Sequence, residues 1–275
     1  MKNILFTLII LTGMTSALSA QKKEKEIKYK KVFYKSQTIE NADVKIMIDD
    51  AVATPFGIKF KLAIINKSND YIIFKASECA FKIKGQETKP EEKWLPIKPL
   101  DHDYRTIDLR GAQYMQAENF DFILDGLYKV SAGGKGTPAP DFKLPPSQND
   151  FKAGSFSVAL DKLKKETART DAKFVVNYSG DNIGIFEPNK VAMKMPDGKE
   201  YANYRGDNAP VLFDKGKIDD FTVAWKDIPI ASGDMQKTEM VILWRDAFKD
   251  VVPVKIPTLD LVILFDKDLS YAKGR

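Results

Sequence analysis

The chain holds one cysteine and one histidine in 275 residues. With only Cys79 and His102, no zinc site of the usual histidine and cysteine mixture can be assembled within one chain. A serine or cysteine nucleophile activated by histidine has only His102 as its base. Cys79 has no partner for an intrachain disulfide and reads as a small buried hydrophobe. No metal, cofactor or catalytic residue is assigned. Long apolar runs are also scarce: after the first twenty residues none is long enough to span a bilayer.

Those first twenty residues read differently. Lys2, the apolar run Ile4 to Leu11 and the small residues Ser16-Ala17-Leu18-Ser19-Ala20 form a secretory signal peptide, 1–20, with cleavage expected before Gln21. The expected product is secreted across the inner membrane, periplasmic or extracellular, and not transmembrane after cleavage.

The formal net charge of +5 suggests a polyanion partner until it is divided along the chain. Seven lysines against two glutamates lie between Gln21 and Lys35; with Lys2 set aside, the remainder is close to neutral. The excess therefore sits in a basic linker, 21–37, read as a solvated spacer that runs into a first edge strand near Lys31 to Tyr34. A contact of Lys22 to Lys35 with an anionic surface is the functional alternative, and nucleic acid is not expected as a partner.

The body compares with itself at a shift of about 111 residues. Asn66-Lys67-Ser68-Asn69-Asp70-Tyr71-Ile72 and Asn177-Tyr178-Ser179-Gly180-Asp181-Asn182-Ile183 share Asn-x-Ser-x-Asp-x-Ile. Thr106-Ile107-Asp108-Leu109-Arg110 likewise matches Thr222-Val223-Ala224-Trp225-Lys226. Apolar residues alternate at Phe60, Leu62, Ile64 and at Phe174, Val176, the period of a half-buried strand. Asp197-Gly198 supplies the positive φ of a tight hairpin. Ser131 to Asn149, rich in glycine and proline, reads as a semi-extended connector unable to hold a continuous ladder. The expectation is an all-β chain of two tandem immunoglobulin-like β-sandwiches related by internal duplication, at 38–150 and 151–275. Trp94, Trp225 and Trp244 are expected in or beside the cores.

Strand, Asn-x-Ser turn, apolar strand and then Val191-Ala192-Met193-Lys194-Met195-Pro196-Asp197-Gly198-Lys199-Glu200-Tyr201 resembles the telokin-like, immunoglobulin-like domains of secreted bacterial proteins. The first copy departs from it, with Gly85-Gln86-Glu87 in place of the Asp-Gly hairpin. The resemblance implies a binding or assembly module of the envelope and carries over no catalytic residue.

Asp101-His102-Asp103-Tyr104-Arg105 is the densest polar cluster. On a strand the two aspartates share a face opposite His102, so they cannot both orient its ring. One short stretch also offers too few oxygens for a calcium cage. The candidate binding loops are Asn66, Ser68 and Asp70; Asp101, His102, Asp103 and Arg105; Asn177, Ser179, Asp181 and Asn182; and 203–208. The expected function is non-enzymatic, with an unidentified envelope protein bound through strand edges or end loops. The alternative is a glycan-binding or metal-dependent accessory of a hydrolase, with Asp101, His102 and Asp103 in an inter-domain groove.

Overall fold

The computed structural model describes residues 29–83, 85–111, 118–133, 135–229 and 234–275. The segment 1–20, expected to be a signal peptide, and residues 21–28 of the expected basic linker lie outside them. The described chain is mostly β, in several antiparallel sheets, and no helix in it is long and apolar enough to cross a membrane.

In the first unit the main sheet pairs Val44–Thr54 with Gly57–Asn66 and Gly57–Asn66 with His102–Arg110. The two-residue strand Val32–Phe33 and the strand Gln37–Glu40 lie on the other side of Val44–Thr54. Val32 and Tyr34 are buried, so the fold begins inside the stretch read as linker. Alternation does what period two demands: Ile58, Phe60, Leu62 and Ile64 enter the core, where Phe60 meets Phe81 and Phe122 from a facing sheet.

The second unit runs through a corresponding series. Asp150–Ala153, Phe156–Glu166, Arg169–Tyr178 and Ile218–Lys226 form its main sheet. Its core is an aromatic cluster in which Phe174, Phe186, Phe221 and Phe248 all pack on Trp244. Trp225 is also buried, whereas Trp94 packs at the junction between the units. Gly85 (φ 79°) and Gly198 (φ 83°) occupy matching hairpins, so the apparent departure at Gly85-Gln86-Glu87 keeps the one residue type the turn needs.

The units are not beads on a string. Leu259–Leu264, late in the chain, pairs with Asn119–Leu124 of the first unit, and Val254–Lys255 pairs with Leu127–Val130. Conversely, Thr137 bridges to Phe248 and Phe142–Leu144 pairs with Met240–Leu243 of the second unit. Each unit therefore completes its core with a strand that follows the other: Leu261 and Ile263 in the first, Phe142 and Leu144 in the second. The domain limits expected at 38–150 and 151–275 do not describe this packing, because Val254–Leu264 serves the first unit and Thr137–Leu144 the second.

The connector reading of Ser131 to Asn149 is corrected in the same way. Its prolines flank, rather than occupy, the three paired residues, and the strand they bound is at a sheet edge, where a missing donor is tolerated.

The junction adds a third apolar cluster. In Tyr71–Phe74 and Ile183–Phe186 every residue is buried. Ile72, Phe74 and Phe186 point into their own cores, while Tyr71, Ile73, Ile183 and Ile185 meet across the junction with Val130 and Leu212. Lys249 and Glu187 form a buried ion pair at 2.5 Å beside it, and Lys249 also donates to the Ala132 carbonyl.

Candidate functional site

The loop residues singled out in the first unit do converge, at one end of its main sheet. Asn66 is buried and its side chain is fully used: Nδ2 donates to the carbonyls of Asp70 at 2.7 Å and Lys98 at 2.8 Å, and Oδ1 accepts from the Ser68 amide and hydroxyl. The Leu100 amide donates to the Ser68 carbonyl, which ties the 66–70 and 98–101 loops together. Asn66 and Ser68 are thus the frame of this tip rather than its contact surface, as buried polar groups with satisfied bonds generally are. What the tip presents outward is Asp70, Leu100, Asp101, His102 and, on the adjoining sheet face, Tyr104.

His102 and Tyr104 share that outer face, with ring centroids 5.7 Å apart and the Lys61 ammonium 4.2 Å from the Tyr104 ring centroid. His102 Nδ1 lies 3.7 Å from Asp101 Oδ1, and both side chains are more than half exposed. Among the described residues no group of three or more histidine, cysteine or acidic side chains is placed to hold a metal ion.

The aspartates have a different task. His102–Arg110 is an edge strand, paired only with Gly57–Asn66, so every second amide points outward. Asp101 Oδ1 accepts the His102 amide at 2.8 Å, Asp103 Oδ1 accepts the Tyr104 amide at 2.7 Å, and Glu92 Oε1 accepts the Asp108 amide at 2.8 Å. The second unit treats its edge Ile218–Lys226 likewise: Asp219 Oδ1 takes the Asp220 amide and Asn203 Oδ1 the Ala224 amide, each at 2.9 Å. Side-chain oxygens occupying outward donors blunt an edge against pairing with a further strand. Asp101 and Asp103, expected among the candidate binding-loop residues, each spend one carboxylate oxygen on an outward amide of this edge. Arg105, half-buried on the same strand, faces Leu62 across the ladder, and its Nε has no hydrogen-bond partner among the described residues.

In the second unit the corresponding residues stand apart. The amide of Asn66 bonds the Asp101 carbonyl, and the amide of Tyr178 bonds the Lys217 carbonyl in the matching position. Tyr178, not Asn177, is therefore the counterpart of Asn66, and the shared Asn-x-Ser-x-Asp-x-Ile is out of step with the pleat by one residue. Asn177 is exposed on the outer sheet face between Ser157 and Ile218. Tyr178 is buried, which raises its phenol pKa, and the nearby Asp250 carboxylate adds to the rise. Ser179 donates to the Ser155 carbonyl, Asn182 to Asp250, and Asp181 is paired with Lys215, which lowers its carboxyl pKa. In the 203–208 turn Asn203 is buried and holds Pro188 and Ala224 together.

One feature of the first tip escaped the sequence reading. Leu100 has φ of 55° and is 69% exposed. Its counterpart ahead of the second edge strand is Gly216, with φ of 73°. The two match because Asp101 bonds back to Lys98 as Lys217 does to Asp214. The left-handed region costs a leucine about 1 to 2 kcal/mol that glycine avoids. Among the described residues, a hydrophobe held there and largely turned to solvent has little packing to justify it.

The inter-domain groove expected as an alternative site is not vacant. Apolar side chains and the Lys249–Glu187 pair occupy the junction, while Asp101, His102 and Asp103 stand at the tip and edge of the first unit. A groove of about 570 Å³ does open beside the donated strand of the second unit, lined by Lys143, Pro145, Lys194, Met195 and Glu239 among others. No protein-family model matches the chain, and no curated protein sequence is significantly similar to it.

Proposed function

We propose that this protein is a secreted, non-enzymatic binding module of the bacterial cell envelope. On this reading it consists of two immunoglobulin-like sandwiches derived by duplication, and it grips a protein partner with the end loops of the first unit. The duplication is supported by the same order of strands in both halves and by a further sequence match. Pro138-Ala139-Pro140-Asp141-Phe142-Lys143-Leu144 parallels Pro257-Thr258-Leu259-Asp260-Leu261-Val262-Ile263, the two exchanged segments.

The observation that carries the binding reading is Leu100, strained and exposed where the second unit has glycine. Backbone strain that packing does not explain tends to mark functional positions. A protruding leucine flanked by His102, Tyr104 and Asp70 offers an apolar anchor with a polar rim, the composition expected of a protein contact. Capture from native envelope extract with the chain from Gln21 to Arg275, beside its Leu100→Ser variant, tests it. A protein enriched by the former and lost by the latter, at unchanged melting temperature, is the expected result. Equal enrichment by both, or none by either, overturns the reading.

A further inference from the structure

Opposite the Leu100 tip, the other end of the first unit gathers cations from three distant parts of the chain. The hairpin between Val44–Thr54 and Gly57–Asn66 turns there through Pro55 and Phe56, and Phe56 is 85% exposed. Arg110 pairs with Gly57 in the adjoining strand and is exposed. Val32 pairs with Ala53, so Lys31 and Lys30 continue toward the same hairpin. The amides of both lysines donate to the Gly274 carbonyl at the end of the short helix Lys267–Lys273, which brings Lys273 and Arg275 to this end as well. The Arg275 guanidinium lies over the ring of Tyr271, itself half exposed.

Lys30, Lys31, Arg110, Lys273 and Arg275 are all exposed, and among the described residues none is in an ion pair. Of the acidic residues near in register, Asp108 pairs with Lys59 at 2.9 Å, and Asp50 lines a groove together with Lys59 and Lys61. In sequence, residues 21–28 carry Lys22, Lys23, Lys25 and Lys28 against Glu24 and Glu26.

We propose that this end is a peripheral docking surface for an anionic phospholipid bilayer. Phe56 enters the interface at the hairpin tip, the five cations lie against the headgroups, and the Leu100 tip faces away. A proline-phenylalanine turn exposes an aromatic ring with little backbone freedom. The exposed cations at the same end, without ion pairs among the described residues, supply attraction that falls within a Debye length of the membrane. The occupant is a bilayer rather than a polyanionic chain because the anchor is one protruding apolar ring, suited to a surface it can penetrate.

The test is co-sedimentation of the chain from Gln21 to Arg275, which contains every described residue. One set of vesicles is phosphatidylcholine with one third phosphatidylglycerol, the other phosphatidylcholine alone. Binding is expected only to the anionic vesicles, and it disappears between about 0.1 and 1 M salt as the Debye length falls from about 10 to 3 Å. Phe56→Ser weakens it about tenfold, the scale set by withdrawing one aromatic side chain from an apolar phase. Lys30→Gln and Lys31→Gln each weaken it about fivefold, as expected for one lysine near an anionic surface. Deleting Gln21 to Lys28 leaves weakened, salt-sensitive binding. Leu100→Ser leaves vesicle binding unchanged, so failure of the protein-partner reading and failure of this one are separable. Equal partition into both vesicle types, no effect of Phe56→Ser, or complete loss on deleting Gln21 to Lys28 alone overturns the proposal.

Discussion

Ahead of its edge strand each unit makes the same left-handed turn, and the two fill it differently: Gly216 in the second, Leu100 in the first. A few residues earlier the contrast runs the other way. The first unit braces its tip with the polar frame of Asn66, while the second puts the buried ring of Tyr178 in that place. Where two units share a topology, their local choices become informative, because the backbone requirement is held constant. The second unit takes the low-energy solution at the turn. The first accepts strain and invests in a hydrogen-bonded frame behind an exposed leucine, which is why the first tip, and not its counterpart, is read as the contact surface.

The broadest way to break the comparison is to attack the exchanged strands. Leu144→Ala removes a buried side chain that the stretch after the first unit gives to the second, and Ile263→Ala one that the stretch after the second gives to the first. Each costs about 2 to 5 kcal/mol. Because the strands cross and the junction is apolar, each variant should lower a single calorimetric transition rather than split it. Two separated transitions would show that the units melt independently.

Next in size is the frame. Asn66→Ala leaves the Asp70 and Lys98 carbonyls and the Ser68 amide short of partners, an expected loss of about 2 to 3 kcal/mol. Asn177→Ala, at an exposed position, should stay within about 0.5 kcal/mol. Urea unfolding of both variants checks the one-residue offset directly. If the two substitutions cost the same, Asn177 is the true counterpart of Asn66.

The smallest effect is the most specific. Leu100→Gly should stabilise slightly, by less than about 1 kcal/mol, since relief of the left-handed leucine is partly offset by glycine's entropy. Gly216→Leu should cost about 1 to 2 kcal/mol through the backbone alone, because nothing lies within 4 Å of the position where a Cβ would stand. Opposite signs in chemical denaturation sharpen the contrast between the tips; a destabilising Leu100→Gly would mean that the leucine packs within the fold.

Much of the fold was legible in the residues. Alternation at Phe60, Leu62 and Ile64 and at Phe174 and Val176 marked the core strands, and Gly198 marked its hairpin, because side-chain period and positive φ are local properties. The candidate site was only half legible. The 66–70 and 101–105 loops were identified and do meet, but Asn66, Asp101 and Asp103 turned out to serve the frame and the edge. A matching motif also misled. Asn-x-Ser-x-Asp-x-Ile aligns as letters but not on the pleat, where a shift of one residue turns a side chain to the opposite face.

By itself the sequence determined the all-β character, the positions of several core strands and the concentration of charge near the start of the chain, since these follow from periodicity, turn chemistry and composition. Only the tertiary structure decided which unit each late strand completes, because Phe142–Leu144 and Leu259–Leu264 carry interchangeable apolar patterns and pairing is chosen by global closure. It also decided that Leu100 protrudes under strain, and that Phe56, Arg110, Lys30 and Arg275 meet at one end. Proximity between residues so distant in the chain is set by register and packing, which no local pattern encodes.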